Sequence, residues 1–151
     1  MGGKCIFCEI VEGKIPSFKI WEDQNYLAIL DGFPNTKGQT LVMPKKHVDS
    51  YVFDMSSKSY LEFMSRARDV SKLLEKGLGV QRVALVMEGM GVNHAHLKLY
   101  PLHGVNEKFK EMWAKDKIYF EKYEGYLSTQ MGPDPNRDEL AKLAQKIRGE
   151  K

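Results

Sequence analysis

The stretch Asn93-His94-Ala95-His96-Leu97-Lys98-Leu99-Tyr100-Pro101 decides how the rest of the chain is read. In an extended strand, side chains two positions apart share a face. His94, His96, Lys98 and Tyr100 therefore fall on one side, and Ala95, Leu97 and Leu99 on the other, where a core would take them. Two imidazoles and an ammonium on one face suit an anionic ligand, with one imidazole available as nucleophile or base. The competing reading is the solvated face of an edge strand that carries two of the chain's 4 histidines by chance. Few side chains serve as nucleophile or base, so their concentration here favours chemistry.

Outward from this strand, Val83–Met87 reads as a buried partner strand, joined to it by the Gly-containing turn Glu88 to Asn93. Residues 56–76 carry the clearest helix. Ser56 or Ser57 caps it, and Tyr60, Leu61, Met64, Ala67, Val70, Leu74 and Leu78 form a stripe at helical spacing. Gly77 and Gly79 end it. Residues 15–31 read as two short strands around the Glu22-Asp23-Gln24-Asn25 turn. The turn formers of residues 32–38 follow, and then a strand over Thr40–Pro44. Past residue 104, helical stretches are expected around Glu107 to Tyr119 and from Asn136 to Arg148, joined by Gly132-Pro133-Asp134-Pro135. The pattern is α+β with antiparallel hairpins.

The 151 residues fit about one domain, and 42% apolar with 28% charged residues is ordinary for a globular protein. A net charge of +3, with both signs interspersed, gives no case for a nucleic-acid partner or an anionic membrane surface. No apolar run approaches the roughly 20 residues of a spanning helix, and the N-terminus lacks a signal core. A cytoplasmic protein is expected. The 2 cysteines, Cys5 and Cys8, are spaced C-x-x-C, which in a reducing compartment suits metal ligands or a redox couple. No strand precedes them, so the redox reading is the weaker.

Three motifs occur in order: Cys5-Ile6-Phe7-Cys8-Glu9-Ile10 with Gly13-Lys14-Ile15-Pro16, Leu41-Val42-Met43-Pro44-Lys45-Lys46-His47, and the strand quoted above. Together they resemble the histidine triad (HIT) family of nucleotide-binding hydrolases and transferases, over about residues 4 to 103, and in particular its zinc-containing bacterial-type members. The resemblance implies a HIT-like fold: an antiparallel sheet of about five strands with a long helix packed on it. It implies a domain over residues 1–105 and leaves 106–151 as a C-terminal helical extension packed on the same domain. It also implies a homodimer, a nucleotide substrate and structural zinc.

The family signature is His-x-His-x-His, and the implied nucleophile is the middle histidine, here His96, attacking the α-phosphorus of a dinucleoside polyphosphate or adenylated compound. Lys98 stands in the third place. It either supplies a permanent charge to phosphate or is a solvated strand-end charge, and Met90 and Gly91 replace the phosphate donors that many members carry before the triad. The alternative is therefore a zinc-stapled nucleotide binder with little turnover. The resemblance also implies Cys5, Cys8, His47 and His94 as zinc ligands. For the nucleotide it implies Asp31 at the ribose, Ile6, Phe7 and Ile10 along the base, and a contact from Asn93. Asp31 is equally suited to initiating the turn before Gly32, and the apolar three to plain core packing.

Overall fold

The computed structural model describes residues 5–128 together with Asn136 and Asp138. The chain divides into two compact units, residues 1–110 and 111–151. In the first unit, β1 (Lys19–Glu22), β2 (Tyr26–Leu30), β3 (Thr40–Pro44), β4 (Val83–Val86) and β5 (Leu97–Pro101) form one antiparallel sheet in the order β1-β2-β3-β5-β4. The expected α+β fold is present, with a five-stranded sheet and a long helix against it.

The central strands are apolar at nearly every position, because both faces of the sheet are covered. The β2–β3 register opposes Leu27 to Met43, Ala28 to Val42 and Ile29 to Leu41, which sends successive pairs to opposite faces. Ala28 and Val42, with Leu97 and Leu99 of β5, pack on Phe63, Ala67, Val70 and Leu74 of α2 (Ser57–Leu78). Leu27, Ile29, Leu41 and Met43 face the other way and cluster with Phe7 of a short helix, α1 (Ile6–Val11). The sequence pattern does not announce this helix. Six residues bury too narrow a stripe to show a period.

Helix α2 starts where expected: the Ser56 hydroxyl accepts a hydrogen bond from the Ser59 N–H at 3.2 Å. It runs two residues further than the pattern implies, through Gly77, and stops at Gly79, whose φ of +66° is the left-handed cap that glycine adopts freely. Its buried stripe also differs by one position. Phe63 is fully buried, whereas Leu61 is 66% exposed. The stripe is 60, 63, 67, 70 and 74, and Leu61 lies about 100° around the helix from Tyr60.

Strand β4, expected to be buried, is half-buried because it is an edge. Strand β5 starts at Leu97, not at His94: ahead of it, the Ala95 N–H donates to the Val48 carbonyl at 2.8 Å and leaves the ladder. The helix expected around Glu107 to Tyr119 does not form. Phe109, Met112 and Trp113, which would have made its apolar face, are exposed, and a helix without a packed face is marginal in water. The stretch Asn136 to Arg148 lies almost wholly outside the described residues. No helix among the described residues is long and apolar enough to cross a membrane.

Candidate active site and metal centre

The face of the sheet turned away from α2 collects the polar residues. Continuing the alternation of Leu27 and Ile29 places Asp31 on that face at the end of β2. In β5, Lys98 lies opposite Leu41 of β3 and Val86 of β4, so it shares their side, and Tyr100 follows by parity; His96 stands one residue ahead of the strand, against Phe7 of α1.

His96 is almost fully buried, with its ring edge-on to Phe7 at a centroid distance of 5.2 Å. Its Nδ1 lies 2.7 Å from the His94 carbonyl oxygen, which accepts only from a protonated nitrogen. That bond sets the tautomer and leaves the lone pair on Nε2. Burial, assisted by the Lys98 charge, pulls the imidazole below its ordinary pKa. The hydrogen bond to His94 and the carboxylates of Glu88 and Asp31 pull the other way. The net direction is down, so the ring is neutral at pH 7 and carries an unprotonated nitrogen.

Four ligand atoms meet next to it. His94 Nδ1 is 3.3 Å from Cys5 Sγ and 3.6 Å from Cys8 Sγ, and Cys8 Sγ is 3.4 Å from His47 Nδ1. All four ligand atoms of Cys5, Cys8, His47 and His94 lie within 4.8 Å of one another, close enough to hold a metal ion. Tetrahedral coordination with metal–sulfur bonds near 2.3 Å and metal–nitrogen bonds near 2.0–2.1 Å has ligand–ligand edges of about 3.3–3.8 Å. The three distances of 3.3, 3.4 and 3.6 Å fall in that range. His94 Nε2 donates to the Pro44 carbonyl at 2.8 Å, which turns the Nδ1 lone pair toward the cysteines. Asp49 stands 4.0 Å behind His47. Burial and then Cys5 push the Cys8 thiol above its ordinary pKa.

The remaining expected residues are more committed than their sequence positions imply. The Lys98 ammonium forms an ion pair with Glu88, and the side chains are 24% and 11% exposed. Asp31 accepts from the Phe33 N–H at 2.9 Å, the turn role it was suited to, and from the buried Gln39 amide at 2.6 Å. The Asn93 amide donates to Asp49 Oδ1 at 3.1 Å, and its oxygen accepts from the Ser50 N–H at 3.0 Å. Phe7 is buried, Ile10 packs at the edge of its cluster, and Ile6 is exposed. Glu88, Gln39, Asp49 and Ser50 carry no signal in the sequence, because each acts across the sheet on a residue 8 to 44 positions away. A cavity of about 430 Å³ between Gln24, Lys46, Met55 and Glu62 is lined by none of these residues.

Comparison with known proteins places the chain in a family. Residues 12–104 match the HIT domain family. The chain is 38% identical over 113 residues to Protein hit of Bacillus subtilis, an alignment covering 72% of this chain and 78% of that one. A crystal structure of a Streptococcus mutans protein superposes with a TM-score of 0.69 at 29% identity, over 99% of this chain and 86% of the other. A HIT family hydrolase from Legionella pneumophila gives 0.52 at 32% identity, over 64% and 91%.

Proposed function

The chain belongs to the HIT domain family, and from that premise we propose that it is a nucleotidyl hydrolase or transferase whose nucleophile is His96. The observation that carries this reading is the 2.7 Å bond from His96 Nδ1 to the His94 carbonyl, which leaves a neutral imidazole with Nε2 unprotonated. Nε2 attacks the α-phosphorus of a dinucleoside polyphosphate or adenylated substrate. The bond from phosphorus to the leaving group breaks, and its electron pair departs with that group. Water then attacks phosphorus, the phosphorus–nitrogen bond breaks, and the pair returns to Nε2. Apart from that nucleophile, catalysis consists of positioning and charge neutralisation, for which Lys98 is placed on the same face.

Asp31 is assigned to the ribose hydroxyls, with Ile6, Phe7 and Ile10 along the base and Asn93 steadying the turn beside the site. Cys5, Cys8, His47 and His94 fit zinc by donor chemistry, since two thiolates and two imidazoles form a closed tetrahedral set. Zinc there would join α1 to the segment bearing His96 and occupy His94 as a ligand. A cytoplasmic location would keep both thiols reduced. A homodimer is part of this reading, because β4 offers an exposed edge with Leu85 on it. All of these residues lie within the domain assigned to residues 1–105.

The test is a rapid quench into alkali after mixing with labelled dinucleoside polyphosphate, nucleoside phosphoramidate or nucleotide sugar. Label trapped on His96 supports the enzyme. Tight binding with no trapped label in any of the three classes supports the second reading, a zinc-stapled nucleotide binder. That reading is favoured by one observation: Glu88 already neutralises Lys98.

A further inference from the structure

The ion pair beside His96 poses a physical problem. A nucleotide phosphate is anionic, yet the site places a carboxylate, Glu88, on the face that would receive it, and buries that carboxylate more deeply than its lysine partner. A carboxylate there repels the ligand. A buried pair gains little stability on its own, since desolvating both charges offsets their attraction.

A lysine at position 98 would not stay in place unaided. Its four-carbon stem carries the ammonium toward water whenever water is within reach. Glu88 counters this from a rigid support. It lies two residues beyond Val86, which pairs with Lys98 in the β4–β5 ladder. On its other side the Gly89 carbonyl accepts from the Ser50 hydroxyl at 2.7 Å, and a side chain on Gly89 would come within 2.9 Å of the Ser50 carbonyl oxygen. The carboxylate is thus held by the ladder before it and by a close backbone contact after it.

We propose that Glu88 is a positioning residue of this site, holding the Lys98 ammonium on the face that carries His96. Resting on the reading of His96 as nucleophile, the inference adds that the lysine acts as a fixed charge and not a roaming one. The cost is affinity: an unopposed lysine would bind phosphate more tightly, while a fixed one meets the charge that develops as the bond to the leaving group breaks.

The test is a double-mutant cycle on the full-length protein with Glu88→Gln, Lys98→Met and both together. Turnover is read with adenosine 5′-phosphoramidate and diadenosine tetraphosphate, and binding is read separately with AMP by calorimetry. Glu88→Gln is expected to lower kcat tenfold or more with KM unchanged or lower, and to tighten AMP several-fold. In the Lys98→Met background, the same replacement should change either quantity less than twofold. Equal effects in both backgrounds, or a kcat within twofold of wild type, would overturn the proposal. If Glu88→Gln does not fold, Glu88→Asp, which keeps the charge but shortens the reach, is read in the same cycle against the same limits. His96→Ala runs alongside. If it turns over like wild type, the nucleophile assignment fails, and the AMP cycle still decides whether Glu88 controls Lys98.

Discussion

His96→Ala removes the nitrogen that would bond to phosphorus but leaves Phe7, Asp31 and Lys98 in place. Turnover should fall to background while AMP affinity stays within a few-fold, a split that separates a bond-making group from a binding one. Near-normal turnover would refute the assignment. Asp31 calls for a comparative measurement, because it also closes the turn to Phe33 and receives the Gln39 amide. Asp31→Ala disturbs that turn for any ligand. If the carboxylate also takes the ribose hydroxyls, a ribonucleotide should lose about 1.5–3 kcal/mol more than its 2′,3′-dideoxy analogue, the range for hydrogen bonds to a charged acceptor. Equal losses by calorimetry would leave Asp31 a turn residue only. At this scale the sequence identifies the candidate side chains, since residue type and spacing along a short stretch are local properties. It does not identify their partners: Glu88 and Gln39 become neighbours of Lys98 and Asp31 only through strand pairing and a turn.

Among the elements, α2 offers the sharpest check on packing. Phe63 is fully buried between the helix and the sheet, so Phe63→Ala should cost about 3–5 kcal/mol in chemical denaturation, through lost transfer energy and the cavity left behind. Leu61 belongs to the same stripe by spacing but is exposed, and Leu61→Ala should stay within about 0.5 kcal/mol. Equal effects would mean that the helix is rotated from the orientation described. The turn after β4 makes a second prediction. Gly89 has a φ of +67° and backs directly onto the Ser50 carbonyl, so Gly89→Ala should destabilise by about 1–3 kcal/mol through strain and crowding together. The existence of the helix is legible in the chain because 22 residues carry several turns of one pattern. The choice between Leu61 and Phe63 is not, since neighbouring apolar residues give nearly the same periodicity.

For the whole molecule, the cluster of Cys5, Cys8, His47 and His94 joins parts of the chain that are far apart. Metal binding to such a set is folding energy. An ion present at a thousand times its Kd stabilises by about 4 kcal/mol. At about 2–4 °C per kcal/mol for a chain of this size, chelation should lower Tm by roughly 8–16 °C. Elemental analysis should find about one zinc per chain, and Cys8→Ala should lower both zinc content and Tm. A metal-free protein whose Tm is indifferent to chelator would remove zinc from this account.

The strands, the long helix, the C-x-x-C pair and the paired histidines ahead of β5 are all legible in the amino-acid sequence by itself, because each depends on residues a few positions apart. Family resemblance then suggests which distant residues belong together. Packing alone settles the rest. The sheet is covered on both faces by α2 and by the unexpected α1, so that β2 and β3 are apolar throughout. The expected helix around Glu107 to Tyr119 is absent, and Phe109, Met112 and Trp113, which would have formed its apolar face, stay exposed. Lys98 is tied to Glu88 because β4 and β5 lie side by side. These outcomes turn on contacts between residues remote in the chain, and short-range periodicity carries no information about them.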